Sequence, residues 1–201
     1  MNLSLTVATD LVPGFFQFLQ CGIQMKAQVG CSIGSFLSEQ LGLTDEFIEH
    51  QLKTIFLEGK PVDDIDSATI RDGSTLALSA AMPGLVGATM RIGSYYAPLR
   101  SGISHREKES ISRKEGTVIL KLFNLVALEL GPVLLDRGIS IRKEDLEDFF
   151  KRRSADFRLK CRAAALDGEE IDMDSLLGMK WSDHLPDRVS VMQLRVSAAR
   201  C

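Results

Sequence analysis

Histidines, cysteines and clustered carboxylates are where chemistry would begin in this chain, and their spacing gives them little to work with. His50, His105 and His184 stand far apart in polar surroundings, so no metal-ligand spacing links them. Cys21, Cys31, Cys161 and Cys201 include no C-x-x-C pair. That excludes the usual zinc-ribbon and thioredoxin-type chemistry, and it does not suggest a secreted disulfide scaffold. Cys31 precedes Ser32 at a predicted helix start, where a thiolate is favoured. The alternative there is a buried, inert thiol. Asp63, Asp64 and Asp66 share one turn, and Asp167, Glu169, Glu170, Asp172 and Asp174 share another. Carboxylates in such numbers can hold a hard cation, but the full calcium-loop spacing is missing and solvated turns are the plainer reading. No G-x-S-x-G elbow, phosphate-binding P-loop or dinucleotide glycine fingerprint is present. The sequence therefore assigns no catalytic residue, metal or cofactor. It leans away from an enzyme without excluding one, since residues distant in sequence can converge in space.

Binding chemistry has three candidates. Tyr95 and Tyr96, with Arg91 and Arg100 nearby, could stack on a ring ligand in an interdomain site; ordinary loop packing is the alternative. Lys151, Arg152, Arg153, Arg158, Lys160 and Arg162 form the most basic stretch. Glu144, Asp145, Glu147 and Asp148 dilute it, so a solvated helix end is expected rather than a nucleic-acid contact. The formal net charge of −3 adds no general attraction to nucleic acid or anionic membrane. The third candidate is the segment Met82, Pro83, Gly84, Leu85, Val86, Gly87 and Met90. Its glycines permit close backbone approach, and its large apolar side chains are each worth roughly 1.5–3 kcal/mol when fully buried. It either enters a protein partner or packs on this chain's own second domain.

These residues need elements to position them. LSLTVA at 3–8 reads as a short strand. FFQFLQ and IQMKAQV flank Gly22 and read as a hairpin, the second run alternating Ile23, Met25, Ala27 and Val29 with polar residues. Ser32 can cap a helix whose buried face is Ile33, Phe36, Leu37 and Leu41, with Gly42 ending it. KTIFL at 53–57 is a strand, Glu58-Gly59 a turn and Pro61-Val62 an edge segment. Asp72-Gly73 is a further turn, followed by the alternating strand STLALSAA.

The stretch TIFLEGKPVDDIDSATIRDGSTLALSAAMPG resembles the second half of ubiquitin-like β-grasp proteins. In style it is similar to the bacterial sulfur carriers of molybdopterin and thiamine synthesis over about residues 15–87. The resemblance implies a small sheet curled around one helix. It also implies a glycine-containing tail that docks in a partner enzyme. The match departs at its end: sulfur carriers finish in a free Gly-Gly carboxylate, whereas this chain continues past Ala88. Carrier chemistry would require processing after Gly84 or Gly87.

Beyond the tail, 91–116 reads as an irregular connector, with HREKESISRKEG as its polar part. VILKLFNLVALELGPVLLDRG is expected to be one helix kinked at Gly131-Pro132, with a strand through VILKLF as the competing reading. Ser140 is expected to cap a helix over IRKEDLEDFFKRR. The remainder reads as two strands around a turn, and LDGEEIDMDSLL echoes LEGKPVDDIDSA. The expected class is α+β. It comprises a β-grasp domain with its tail over 1–90, a connector over 91–116, and a smaller mixed α/β unit over 117–201, a helical hairpin plus two strands, for which a degenerate second β-grasp is one reading. No run reaches the roughly 18 uninterrupted apolar residues of a membrane span, no signal peptide is apparent, and a reducing cytoplasm is the expected compartment. The function expected is a non-catalytic protein-interaction module.

Overall fold

The computed structural model describes residues 1–100, 103–104, 112–181 and 191–199. It is a mixed α/β protein whose chain divides into two compact units. One is Leu19–Ala127; the other joins Met1–Phe18 to the chain from Leu128 onward. The division is not the expected one into 1–90 and 117–201, because the N-terminal strand pairs with C-terminal strands. Most of the polar connector HREKESISRKEG lies outside the described residues.

In the unit 19–127, strand β2 (Ile23–Val29) leads into a helical segment, α2 (Ile33–Ser35), continued as a π turn over Phe36–Gln40. Ser32 caps it as expected, its Oγ accepting the Ser35 N–H at 3.2 Å. A second short helix, α3 (Asp45–His50), is capped by Thr44, with Asp45 and Glu46 complementing the dipole of its first turn. The chain then forms β3 (Thr54–Leu57), β4 (Lys60–Pro61), β5 (Thr75–Ser79), α4 (Gly84–Met90) and β6 (Lys114–Phe123). The strand order is β4-β3-β5-β6-β2. The middle pair β5 and β6 runs parallel; β3 against β5, and β2 against β6, run antiparallel. Val118, Leu120 and Leu122 of β6 are fully buried beside Leu76 and Leu78 of β5, so alternation places one apolar face inward.

Two expectations are corrected here. The hairpin between FFQFLQ and IQMKAQV does not form: Thr9–Phe15 is a 3₁₀ helix, Phe16–Cys21 is helix α1, and β2 pairs with β6. Aromatic residues favour strands intrinsically, but Phe15, Phe18 and Leu19 recur at helical spacing and all are buried. Nor is 118–137 one kinked helix. The strand reading holds through Phe123, Asn124 turns the chain at φ 54°, and helix α5 (Asn124–Arg137) carries Pro132 inside it.

The other unit begins with β1 (Asn2–Val7) and resumes after α5 with β7 (Ile139–Arg142) and α6 (Lys143–Lys160). Next come β8 (Cys161–Leu166), β9 (Glu169–Glu170), α7 (Met173–Gly178) and β10 (Val191–Ala198). Ser140 is therefore no helix cap; it lies in β7, where its Oγ accepts from Gln193 Nε2 at 2.5 Å. The strand order is β7-β10-β1-β8-β9. β1 runs parallel to β10 and antiparallel to β8. The core here is aromatic. Phe149 lies 4.7 Å from Phe15 and 6.2 Å from Phe157 between ring centroids, and Phe150 stacks on the fully buried Trp181 at 6.1 Å.

Candidate interaction surface

The segment singled out at 82–90 is a helix rather than an extended tail. Pro83, in extended conformation, precedes α4, and Gly87 lets the helix close onto its own approach: a Cβ there would lie 2.1 Å from the Met82 carbonyl oxygen. Polar side chains tie down its carbonyls. Thr89 Oγ1 donates to the Val86 carbonyl at 2.7 Å, and Ser94 Oγ to that of Ala88 at 2.6 Å. The Ile92 N–H donates to the Lys53 carbonyl at 2.9 Å, fixing the segment beside the start of β3. A 3₁₀ turn, Ala97–Arg100, follows.

Arg100 holds this excursion together. Only 4% of it is exposed. Its Nη2 donates to Asp63 Oδ1 at 2.6 Å and its Nη1 to Asp63 Oδ2 at 3.0 Å, a two-pronged charge-assisted pair. Nη1 also donates to Ser104 Oγ at 2.7 Å, and Nε to the Thr89 carbonyl at 2.6 Å. One guanidinium thus joins the turn after β4, the end of α4 and the turn after Arg100.

What the excursion turns outward is apolar. Leu85 and Val86 are each 69% exposed, Leu99 76% and Tyr95 90%, with Tyr96 and Ile103 also exposed. These are six of the ten exposed large apolar side chains among the described residues, so they are concentrated rather than scattered. Leu125, Leu128 and Val133 of α5, and Leu159, make up the rest. Met82, Met90 and Ile92 are half-buried and Arg91 is exposed.

Among the described residues, the other candidates do not assemble into a reactive site. Tyr95 and Tyr96 pack on each other edge to face at 5.3 Å, while Arg100 is turned inward onto Asp63 and so does not join them in a ring-stacking site. Clefts of about 600 and 580 Å³ lie elsewhere, one bordered by Lys26, Gln40 and Asp72, the other by Val12, Val133 and Arg195. Of the acidic turn, Asp63 serves Arg100. Asp64 Oδ1 accepts the N–H groups of Asp66 and Ser67, each at 3.1 Å. In the second acidic turn Asp172 caps α7, and hydrogen bonds from Ser175 hold its carboxyl below the usual range. Among the described residues no group of three or more His, Cys, Asp or Glu side chains could hold a metal ion.

Cys31 is buried, its Sγ donating to the Gln28 carbonyl at 3.2 Å, and burial pushes its thiol up rather than toward thiolate. Burial pushes Cys161 up to about 11. Cys21 is exposed, and Cys201, His105 and His184 lie outside the described residues. Four cations of the basic stretch are compensated: Lys151 meets Glu147 at 2.8 Å, Lys160 meets Asp10 at 2.9 Å, Arg152 meets Asp148 at 4.0 Å, and Arg158 pairs with Asp174. No helix among the described residues is long and apolar enough to cross a membrane.

Sequence reasoning named Asp63 and Arg100 but for other roles. They stand 37 positions apart, and the one signal available was a lone arginine in an apolar, glycine- and proline-bearing loop. Comparisons with protein-family models, with curated proteins and with solved structures find no match to this chain.

Proposed function

We propose that this chain is a non-catalytic protein-interaction module built on a β-grasp arrangement, with the 84–100 excursion as its contact surface. The β-grasp reading of the unit 19–127 is supported by its topology. A helical segment follows β2, a tight hairpin β3–β4 forms one edge, and two parallel strands occupy the middle of the sheet. β6 fills the place that the sequence assigned to the first hairpin strand. The same strand order recurs in the other unit, which supports reading it as a second, diverged copy. Buried free thiols at Cys31 and Cys161 support a reducing, cytoplasmic setting.

One observation carries the interaction reading: Leu85 and Val86 stand 69% exposed on a helix that polar bonds hold in place. Large exposed apolar patches on a held scaffold mark contact surfaces. Leu85→Asp tests it. The variant is expected to melt within about 2 °C of the parent, as exposed substitutions do, and to lose a specific partner that the parent captures from its own cells and rebinds when both are purified. A variant that unfolds would make the segment core. Purified parent and variant that bind the same partner equally would remove the surface from the contact.

A further inference from the structure

We propose that Arg100 and Asp63 form a clasp that sets how the 84–100 surface is presented, with Arg100 as a positioning residue rather than a contact residue. The proposal rests on the interaction reading of that surface. Its large apolar side chains at 85, 86, 95 and 99 point to solvent and contribute little cohesion. What closes the loop is a buried guanidinium with four hydrogen bonds to three separate stretches of chain. A buried arginine is tolerated only while its charge is compensated, and the carboxylate that pairs with it is that of Asp63, itself 46% exposed.

Val62 donates its N–H to the Ile55 carbonyl, and Ile171 donates to that of Ala164, so Asp63 and Asp172 occupy matching positions after their hairpins. Asp172 spends its carboxylate locally, accepting the Ser175 N–H at 2.8 Å and the Ser175 hydroxyl at 2.6 Å. In the unit 19–127 that local work has moved one residue along, to Asp64, which accepts the amides of Asp66 and Ser67. Asp63 is thereby left available for Arg100. The acidic cluster is a division of labour in which one carboxylate builds the turn and the next holds the excursion.

Hydrogen exchange on the full chain tests the clasp without any partner. Asp63→Asn removes the compensating charge. Arg100→Met replaces the guanidinium with an apolar chain of similar reach and leaves no buried charge behind. In both variants the amides of 85–100 are expected to exchange at least about tenfold faster, while those of β3, β5 and β6 stay within about twofold of the parent, as for a local opening. Unchanged exchange over 85–100 in either variant would overturn the proposal. So would loss of protection throughout β3, β5 and β6, which would make the pair part of the core. The readout is separate from that of Leu85→Asp: a slow-exchanging loop in the clasp variants leaves the contact reading standing. A Leu85→Asp protein with intact binding would refute the contact reading and leave the clasp's exchange behaviour unaffected.

Discussion

The two units place strands in the same spatial order but draw them from the chain in different ways. In the unit 19–127 both middle strands, β5 and β6, come from within the unit's own continuous stretch. In the other, the middle pair is β10 and β1, the last and first strands of the described chain. The hairpins beside them are matched residue for residue. Leu57 pairs with Lys60 and Leu166 with Glu169, and each turn has two residues of positive φ, Glu58-Gly59 and Asp167-Gly168. The helical segments differ: eight residues over Ile33–Gln40 against an 18-residue α6, and a mainly aliphatic core against an aromatic cluster. Spatial order and hairpin geometry are thus retained where core composition and chain connectivity are not. Among the described residues, an exposed apolar excursion of this kind is found in the unit 19–127.

The largest effect should come from attacking that difference in connectivity. Removing residues 1–8 takes out a strand whose Leu3, Leu5 and Val7 are almost fully buried between β8 and β10. Amide protection in β8 and β10 is expected to collapse, while β2 and β5 keep theirs. Protection surviving in β8 and β10 would break the assignment of β1 to the middle of that sheet. A smaller effect should sharpen the likeness. Gly59→Ala and Gly168→Ala each force an L-residue into left-handed backbone, at φ 73° and 93°, and should each cost about 1–2 kcal/mol in urea unfolding. A cost at only one of them would show that the hairpins are not equivalent.

The smallest effect is electrostatic. Cys161 occupies the position matched by Leu52 in the other unit, and burial raises its thiol from 9.0 to about 11. The folded state therefore retains a proton that the unfolded chain releases above pH 9. The stability this contributes is whole below that pH and declines as pH climbs from about 9 toward about 11. Urea midpoints at pH 8 and pH 9.5 should differ less in Cys161→Ala than in the parent. An equal drop in both would assign the alkaline loss to other groups.

Much of the unit 19–127 was legible because its signals are local. Ser32 before an apolar helical stripe, Glu58-Gly59 between two strands, Pro61 at an edge and the alternation of 75–79 each need only a few neighbouring residues. Strand partnership is different in kind. β2 pairs with residues 114–123, about ninety positions away, and nothing in its own pattern distinguishes that partner from the aromatic run just before it. The turn at Asn124 was invisible for a related reason: positive φ at a residue other than glycine is imposed by context and leaves no mark on hydrophobic period. Of the candidate surface, the residues 82–90 were readable from composition. Their helical form and the hold of Arg100 on Asp63 were not, since a long-range ion pair has no local sequence signature.

The position of β1 also sets a timetable. Its neighbours β8 and β10 are made some 160 to 190 residues later, and translation at roughly 5–20 residues per second leaves it waiting on the order of ten seconds. During that interval the unit 19–127 has all its strands and can close, while Leu3, Leu5 and Val7 remain without their sheet. Until β8 and β10 are made, the nascent chain carries an unpaired apolar strand, the kind of segment that holding chaperones shield and that aggregates when they are scarce.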